Sequence, residues 1–87
     1  MIRNKEAVLS MIGARVSAIR RRKGLRMKDV AEKAELGVNT IIRVEGGDNV
    51  RMGILLSCIA AIDENGDVFR EIFNFSEEDK KEWEVME

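Results

Sequence analysis

The sequence predicts an all-α fold of five or six short helices, and three observations carry that prediction. Apolar residues recur at spacings of three and four along most of the chain, and no segment alternates with period two. Proline is absent and aromatics make up 5%, which removes the turn residues and aromatic core of a small β-sandwich or barrel. Breaks in the apolar pattern coincide with turns rich in glycine, asparagine and aspartate. The 87 residues suffice for one domain, and 45% hydrophobic beside 36% charged residues describes a globular chain with a small core.

The elements follow in chain order. Val8, Leu9, Ile12, Val16 and Ile19 trace one face of a helix running from Asn4, a good N-cap, to Lys23. Gly13 interrupts this pattern, predicting a break between a short leading helix and a longer one. Gly24 after Arg20-Arg21-Arg22-Lys23 is a helix stop, with cations in the last turn and then glycine. A second helix is expected from Met27 to Ala34 and a third from Val38 to Val44, separated only by Glu35-Leu36-Gly37. After the break Gly46-Gly47-Asp48-Asn49, the residues Ile54, Leu55, Cys58, Ile59 and Ile62 give a fourth helix. Val68, Phe69, Ile72 and Phe73 give a fifth. Ser76-Glu77-Glu78-Asp79 has the form of a capping box and opens a polar sixth helix anchored by Trp83 and Met86.

Composition narrows the function. Histidine and tyrosine are absent and cysteine occurs once, so no His base, Cys–His pair or His/Cys zinc site can be assembled. The expectation is a protein that is not an enzyme and takes no cofactor or metal. Asp63-Glu64-Asn65-Gly66-Asp67 lacks the twelve-residue ligand spacing of a calcium loop. A lone cysteine fits a reducing, cytoplasmic compartment, and Cys58 falls on an apolar helix face as a core thiol. No apolar run approaches the roughly 20 residues needed to span a bilayer, and the N-terminus lacks a secretory signal pattern. Met11, Met27 and Met52 read as gap-fillers.

The net charge of −1 conceals a strong asymmetry. Residues 1–62 carry 12 basic and 6 acidic side chains, whereas residues 63–87 carry 3 basic and 10 acidic ones. A basic body with an acidic tail points to a polyanion-binding surface joined to a segment of different purpose.

Two short helices joined by a three-residue turn and preceded by a basic helix make a helix-turn-helix pattern. Ala31 supplies the small residue where the helices cross. Val30, Leu36, Ile41 and Val44 sit at offsets that pin the second helix to the first, and Val38, Asn39, Ile42 and Arg43 lie on the outer face. Four blocks, Ile12-Gly13-Ala14-Arg15-Val16 with Ile19-Arg20, Asp29 to Ala34, Asn39 to Gly47, and Leu55-Leu56 to Ile62, carry a resemblance to the Cro/C1-type (XRE family) helix-turn-helix domain.

The resemblance implies a five-helix lambda-repressor-like fold with a short extra helix at each end. It divides the chain into an N-terminal extension (1–11), the helix-turn-helix domain (12–75) and an acidic C-terminal helix or tail (76–87). It implies a homodimeric repressor of transcription that binds double-stranded DNA with the third helix in the major groove. Arg20 and Glu45 are then an internal ion pair, for which the sequence gives its own reason: a carboxylate next to the core position Val44 needs a partner. Val38, Asn39 and Arg43 are the expected base contacts, to a thymine methyl, an adenine, and a guanine or phosphate. Arg15, Arg26, Met27, Lys28, Thr40, Gly46, Gly47 and Arg51 are the expected phosphate contacts, helped by backbone amides at the N-termini of the second and third helices.

Phe69, Phe73 and Phe75 follow the fourth helix, where the family commonly forms its dimer contact, or else they close the monomer's own core. The tail is expected to project away from the phosphates or to cap a dimer face. The chain departs from the family pattern at Met27, where glutamine is usual, and at Glu35, where a left-handed turn prefers glycine. Gly37 holds an N-cap position, and Ile42 places an apolar side chain on the outer face. Val38 and Ile42 equally suit a protein partner, so a protein-interaction module is the rival reading. The stretch Glu45 to Met52 leading into Leu55-Leu56 is similar to HipB-like antitoxins, which would imply a HipA-like toxin partner.

Overall fold

One long helix sets the frame. The computed structural model describes residues 1–85, which form six helices and no strand. They are α1 (Lys5–Arg22), α2 (Met27–Ala34), α3 (Val38–Glu45), α4 (Met52–Ile62), α5 (Asp67–Phe73) and α6 (Glu77–Glu84). Met86 lies outside the described residues.

The Asn4 side chain caps α1 by accepting from the Ala7 amide at 3.1 Å. The helix then runs unbroken to Arg22, so the break expected at Gly13 does not occur and no separate leading helix exists. The reason for that glycine is tertiary. A Cβ at Gly13 would lie 2.5 Å from the Val44 carbonyl oxygen and 2.8 Å from that of Glu45. The hydrogen atom in its place lets the last turn of α3 press directly onto the α1 backbone.

The helix α2 ends at Glu35, which adopts the left-handed conformation with φ 57° and ψ 42°. The Leu36 amide reaches back to the Ala31 carbonyl at 2.9 Å, so the helix closes with a Schellman-type turn built on a non-glycine residue. Gly37 then serves as the N-cap of α3. Beyond α3, Gly47 takes φ 81°, and the Asp48 amide donates to the Arg43 carbonyl at 3.0 Å. The helix α4 begins two residues earlier than its apolar pattern indicates, and Met52 is 62% exposed, not a gap-filler. The turn before α5 is knotted by Asp63, whose carboxylate accepts from the amides of Asn65, Gly66 and Phe69.

The core is made where α1 to α5 meet: Val16 and Ile19 of α1, Val30 of α2, Ile41 and Val44 of α3, Cys58, Ile59 and Ile62 of α4, and Val68 and Ile72 of α5. Cys58 is fully buried, and burial pushes its thiol pKa up, as suits a core thiol.

Within the acidic tail, α6 is docked on this body. The helix α6 packs against α1 and buries Trp83 to 8% exposure, while the Trp83 carbonyl accepts from the amides of Arg3 and Asn4 at 2.9 and 2.8 Å. Residues 3 and 4 therefore meet the last turn of α6.

Candidate nucleic-acid interface

Six of the eight residues of α3 divide between core and solvent, with Thr40 and Glu45 at the boundary. Ile41 and Val44 are buried, and Leu36 just before the helix packs against the same core. Val38, Asn39, Ile42 and Arg43 are all exposed, which puts one open edge along the helix. The apolar members of that edge are 41% exposed at Val38 and 50% at Ile42. Gly37 has no side chain to cap the first amides of α3. The Thr40 amide is occupied by the Gly37 carbonyl at 3.0 Å, and the Thr40 side chain is half-buried.

Both ends of α3 are held firmly. Arg20 in α1 donates through Nε to Glu45 Oε2 at 2.6 Å and through Nη2 to Oε1 at 3.1 Å. Its third bond, from Nη1, goes to the Leu25 carbonyl at 2.8 Å. Arg20 is buried, and the Glu45 hydrogen bond raises its pKa against the lowering effect of burial, so the guanidinium stays charged. A fork-to-fork pair of this kind fixes orientation as well as distance. The expectation of an Arg20–Glu45 pair is met in full.

The cations expected to hold phosphates fare unequally. Lys28, in the first turn of α2, and Arg51, at the N-cap of α4, are exposed and form no salt bridge among the described residues. Arg26 is paired with Asp29 at 3.3 Å, and Arg43 with Asp48 at 3.3 Å; both pairs are at the surface, where such contacts exchange readily. Met27 turns its side chain into the core margin. The Gly46 and Gly47 amides are already bonded to the carbonyls of Ile42 and Val44, so neither offers a free donor.

Arg15 stands apart from this face. Its Nη1 donates to the carbonyls of Ile72 at 2.9 Å and Asn74 at 3.0 Å, and its Nη2 to Asp79 at 2.8 Å. The guanidinium also lies 4.6 Å from the centre of the Phe75 ring. Arg22 is likewise taken by Glu71 at 2.9 Å, and Lys23 donates to the Ile62 carbonyl at 2.6 Å. Much of the basic excess of the sequence is thus matched inside the molecule, and the acids of the tail do part of the matching. Nothing in the local pattern signals this role for Arg15, whose partners lie 57 to 64 residues away.

The three phenylalanines also divide. Phe75 packs edge-on to Trp83 with centroids 4.9 Å apart and to Phe73 at 6.5 Å; Phe73 in turn meets Phe69 at 4.8 Å. Phe73 and Phe75 pack against the monomer's own core, and Phe69 remains 45% exposed. Among the described residues no cluster of acidic or cysteine side chains is arranged to hold a metal ion, and no helix is long and apolar enough to cross a membrane. Comparison with protein families, curated proteins and solved structures finds no significant match.

Proposed function

We propose that this chain is a sequence-specific double-stranded DNA-binding regulator of the Cro/C1 type, a homodimeric repressor that lays α3 in the major groove. The observation that carries the reading is the open edge of α3, held at its C-terminal end by the buried Arg20–Glu45 pair and at its start by the left-handed turn at Glu35. A groove about 12 Å wide admits such a helix when its outer face is clear of its own protein. In this reading α1 to α5 correspond to the five-helix repressor-like arrangement. Asn39 pairs with adenine, Arg43 leaves Asp48 for guanine or a phosphate, and Val38 meets a thymine methyl. Lys28, Arg51, Thr40 and the first amides of α3 hold phosphates. Phe69 is the residue of its trio left to meet a second copy.

A second reading has its own observation. Ile42 at 50% exposure sits in the middle of the α3 edge, and Glu35 and Asp48 flank the helix with negative charge. A protein-interaction module that keeps the fold, including an antitoxin bound to a toxin, would use that apolar edge instead.

Selection from a randomised duplex pool, followed by gel shifts over a series of salt concentrations, separates the two. The regulator reading expects an enriched palindromic site and a log–log salt slope of about −0.9 per phosphate held. Lys28→Ala should then weaken binding to all sequences and flatten the slope by about one contact, whereas Asn39→Ala should relax the preference at one base pair. No enrichment, together with no shift at low salt, rejects the regulator and leaves the interaction module.

A further inference from the structure

The helix α6 is held differently from the other five. Each of α1 to α5 places at least two buried side chains in the common core, whereas α6 buries only Trp83. Its remaining face is solvent-exposed, and its ion pairs, Lys80–Glu77 and Lys81–Glu78, lie along that surface. It is fastened by the Trp83 indole, by the Arg3 and Asn4 amides that donate to the Trp83 carbonyl, and by one arginine. Through the carbonyls of Ile72 and Asn74, Arg15 grips the end of α5, and through Asp79 it grips the first turn of α6. Asp79 Oδ2 also accepts from the Ser76 amide at 2.8 Å, so the same oxygen that closes the N-cap of α6 receives the guanidinium. The connection 74–76 is therefore pinned at both ends by a single side chain from α1.

We propose that α6 is a strap that opens from α1 as a unit while the α1–α5 core stays folded, with Arg15 as its latch. One indole, two backbone hydrogen bonds from Arg3 and Asn4, and partly exposed ionic contacts resist opening far less than a helix that places several side chains in the shared core. Opening uncovers the Phe75 ring and the side of α1 beneath Trp83, and it deprives Arg15 of its carboxylate partner Asp79. The protein then has a closed face with its cation matched and an open face that is apolar and basic.

Trp83 is the chain's single tryptophan, so its emission reports the strap alone. The test is native-state hydrogen exchange on the full chain, with Trp83 emission and far-ultraviolet circular dichroism followed along one urea titration. The strap requires amides of residues 77–84 to exchange about tenfold or more faster than those around Ile41 and Ile59. It also requires the Trp83 transition to precede the loss of helix signal. Arg15→Gln should move the Trp83 transition to lower urea and leave the later one in place. Equal protection across all six helices, or coincident transitions, overturns the proposal. A shift of both transitions together by Arg15→Gln also overturns it, because Arg15 would then support the core and not the strap. If that variant does not fold, the wild-type exchange pattern decides.

Discussion

Replacing Gly13 with alanine sets local and tertiary physics against each other. In an exposed helix interior the change stabilises by about 1 kcal/mol, because alanine has the better propensity. In this chain the added methyl would sit 2.5 Å from the Val44 oxygen and 2.8 Å from the Glu45 oxygen. Carbon–oxygen contacts normally begin near 3.3 Å, so the end of α3 must withdraw by roughly 0.8 Å. It has little freedom to do so. Val44 is buried against α1, and Glu45 is bonded twice to Arg20. Overpacking of this kind costs about 1–3 kcal/mol, and an obstacle made of backbone puts the cost at the upper end. Less the propensity gain, the net is a loss of about 2 kcal/mol, or roughly 8–16 °C in Tm for a domain this small. Thermal and urea denaturation followed by circular dichroism measures it. Gly53→Ala is the control, since a Cβ there meets nothing within 4 Å, and it should stabilise by about 0.5–1 kcal/mol. If Gly13→Ala raises Tm alongside Gly53→Ala, the close approach of α1 and α3 is refuted.

Three further outcomes are expected. Arg20→Ala leaves the Glu45 carboxylate buried without its partner and the Leu25 carbonyl without a donor, and should cost about 3–5 kcal/mol in urea denaturation; a near-neutral value would dismiss the pair as the lock of α3. Glu35→Gly relieves a left-handed conformation that disfavours side chains by about 1–2 kcal/mol but gives back about 0.5–1 in backbone entropy, so the urea midpoint should rise slightly at unchanged m-value. Acid should destabilise the fold. The Arg26 hydrogen bond holds Asp29 below its usual pKa, Arg22 does so for Glu71, and the Ser76 amide does so for Asp79. At Asp63, burial pushes upward but is outweighed by the amides of Phe69, Gly66 and Asn65. Carboxylates with lowered folded-state pKa contribute stability that is complete above their unfolded values, near pH 4, and lost as pH falls through the folded ones. A Tm that stays flat from about pH 5 down to pH 2 would contradict these contacts.

Much of the architecture was legible because it is written at short range. The three-and-four periodicity located α1 to α5, a capping box located α6, and the glycine- and aspartate-rich breaks located most of the turns, since all depend on neighbours within a few residues. The outer edge of α3 was legible for the same reason: once Ile41 and Val44 point inward, helical geometry sends Val38, Asn39, Ile42 and Arg43 outward. The need for a partner at Glu45 was legible through chemistry, because a carboxylate beside a core position demands a cation, while its identity as Arg20 came from the family resemblance.

The phosphate-contact assignments were less legible. A count of charges does not say which are already matched, and Arg15, Arg22 and Lys23 have partners 39 to 64 residues away. Gly13 read as an interruption because propensity concerns one helix at a time, whereas the demand for a missing Cβ comes from a second helix crossing it. The acidic tail was expected to project away from the phosphates or cap a dimer face because its acids repel DNA; its docking on α1 through an indole, the Arg3 and Asn4 amides and one arginine was not legible.

The sequence by itself determined an all-helical chain, its turns, the exposed edge of α3 and the need for a buried ion pair, because these follow from local backbone geometry and the cost of an unpaired charge. Only the tertiary structure decided that α1 is continuous, that its glycine is a crossing point, and that Arg15 ties down α6, because each is a contact between segments distant along the chain whose partner no local rule names.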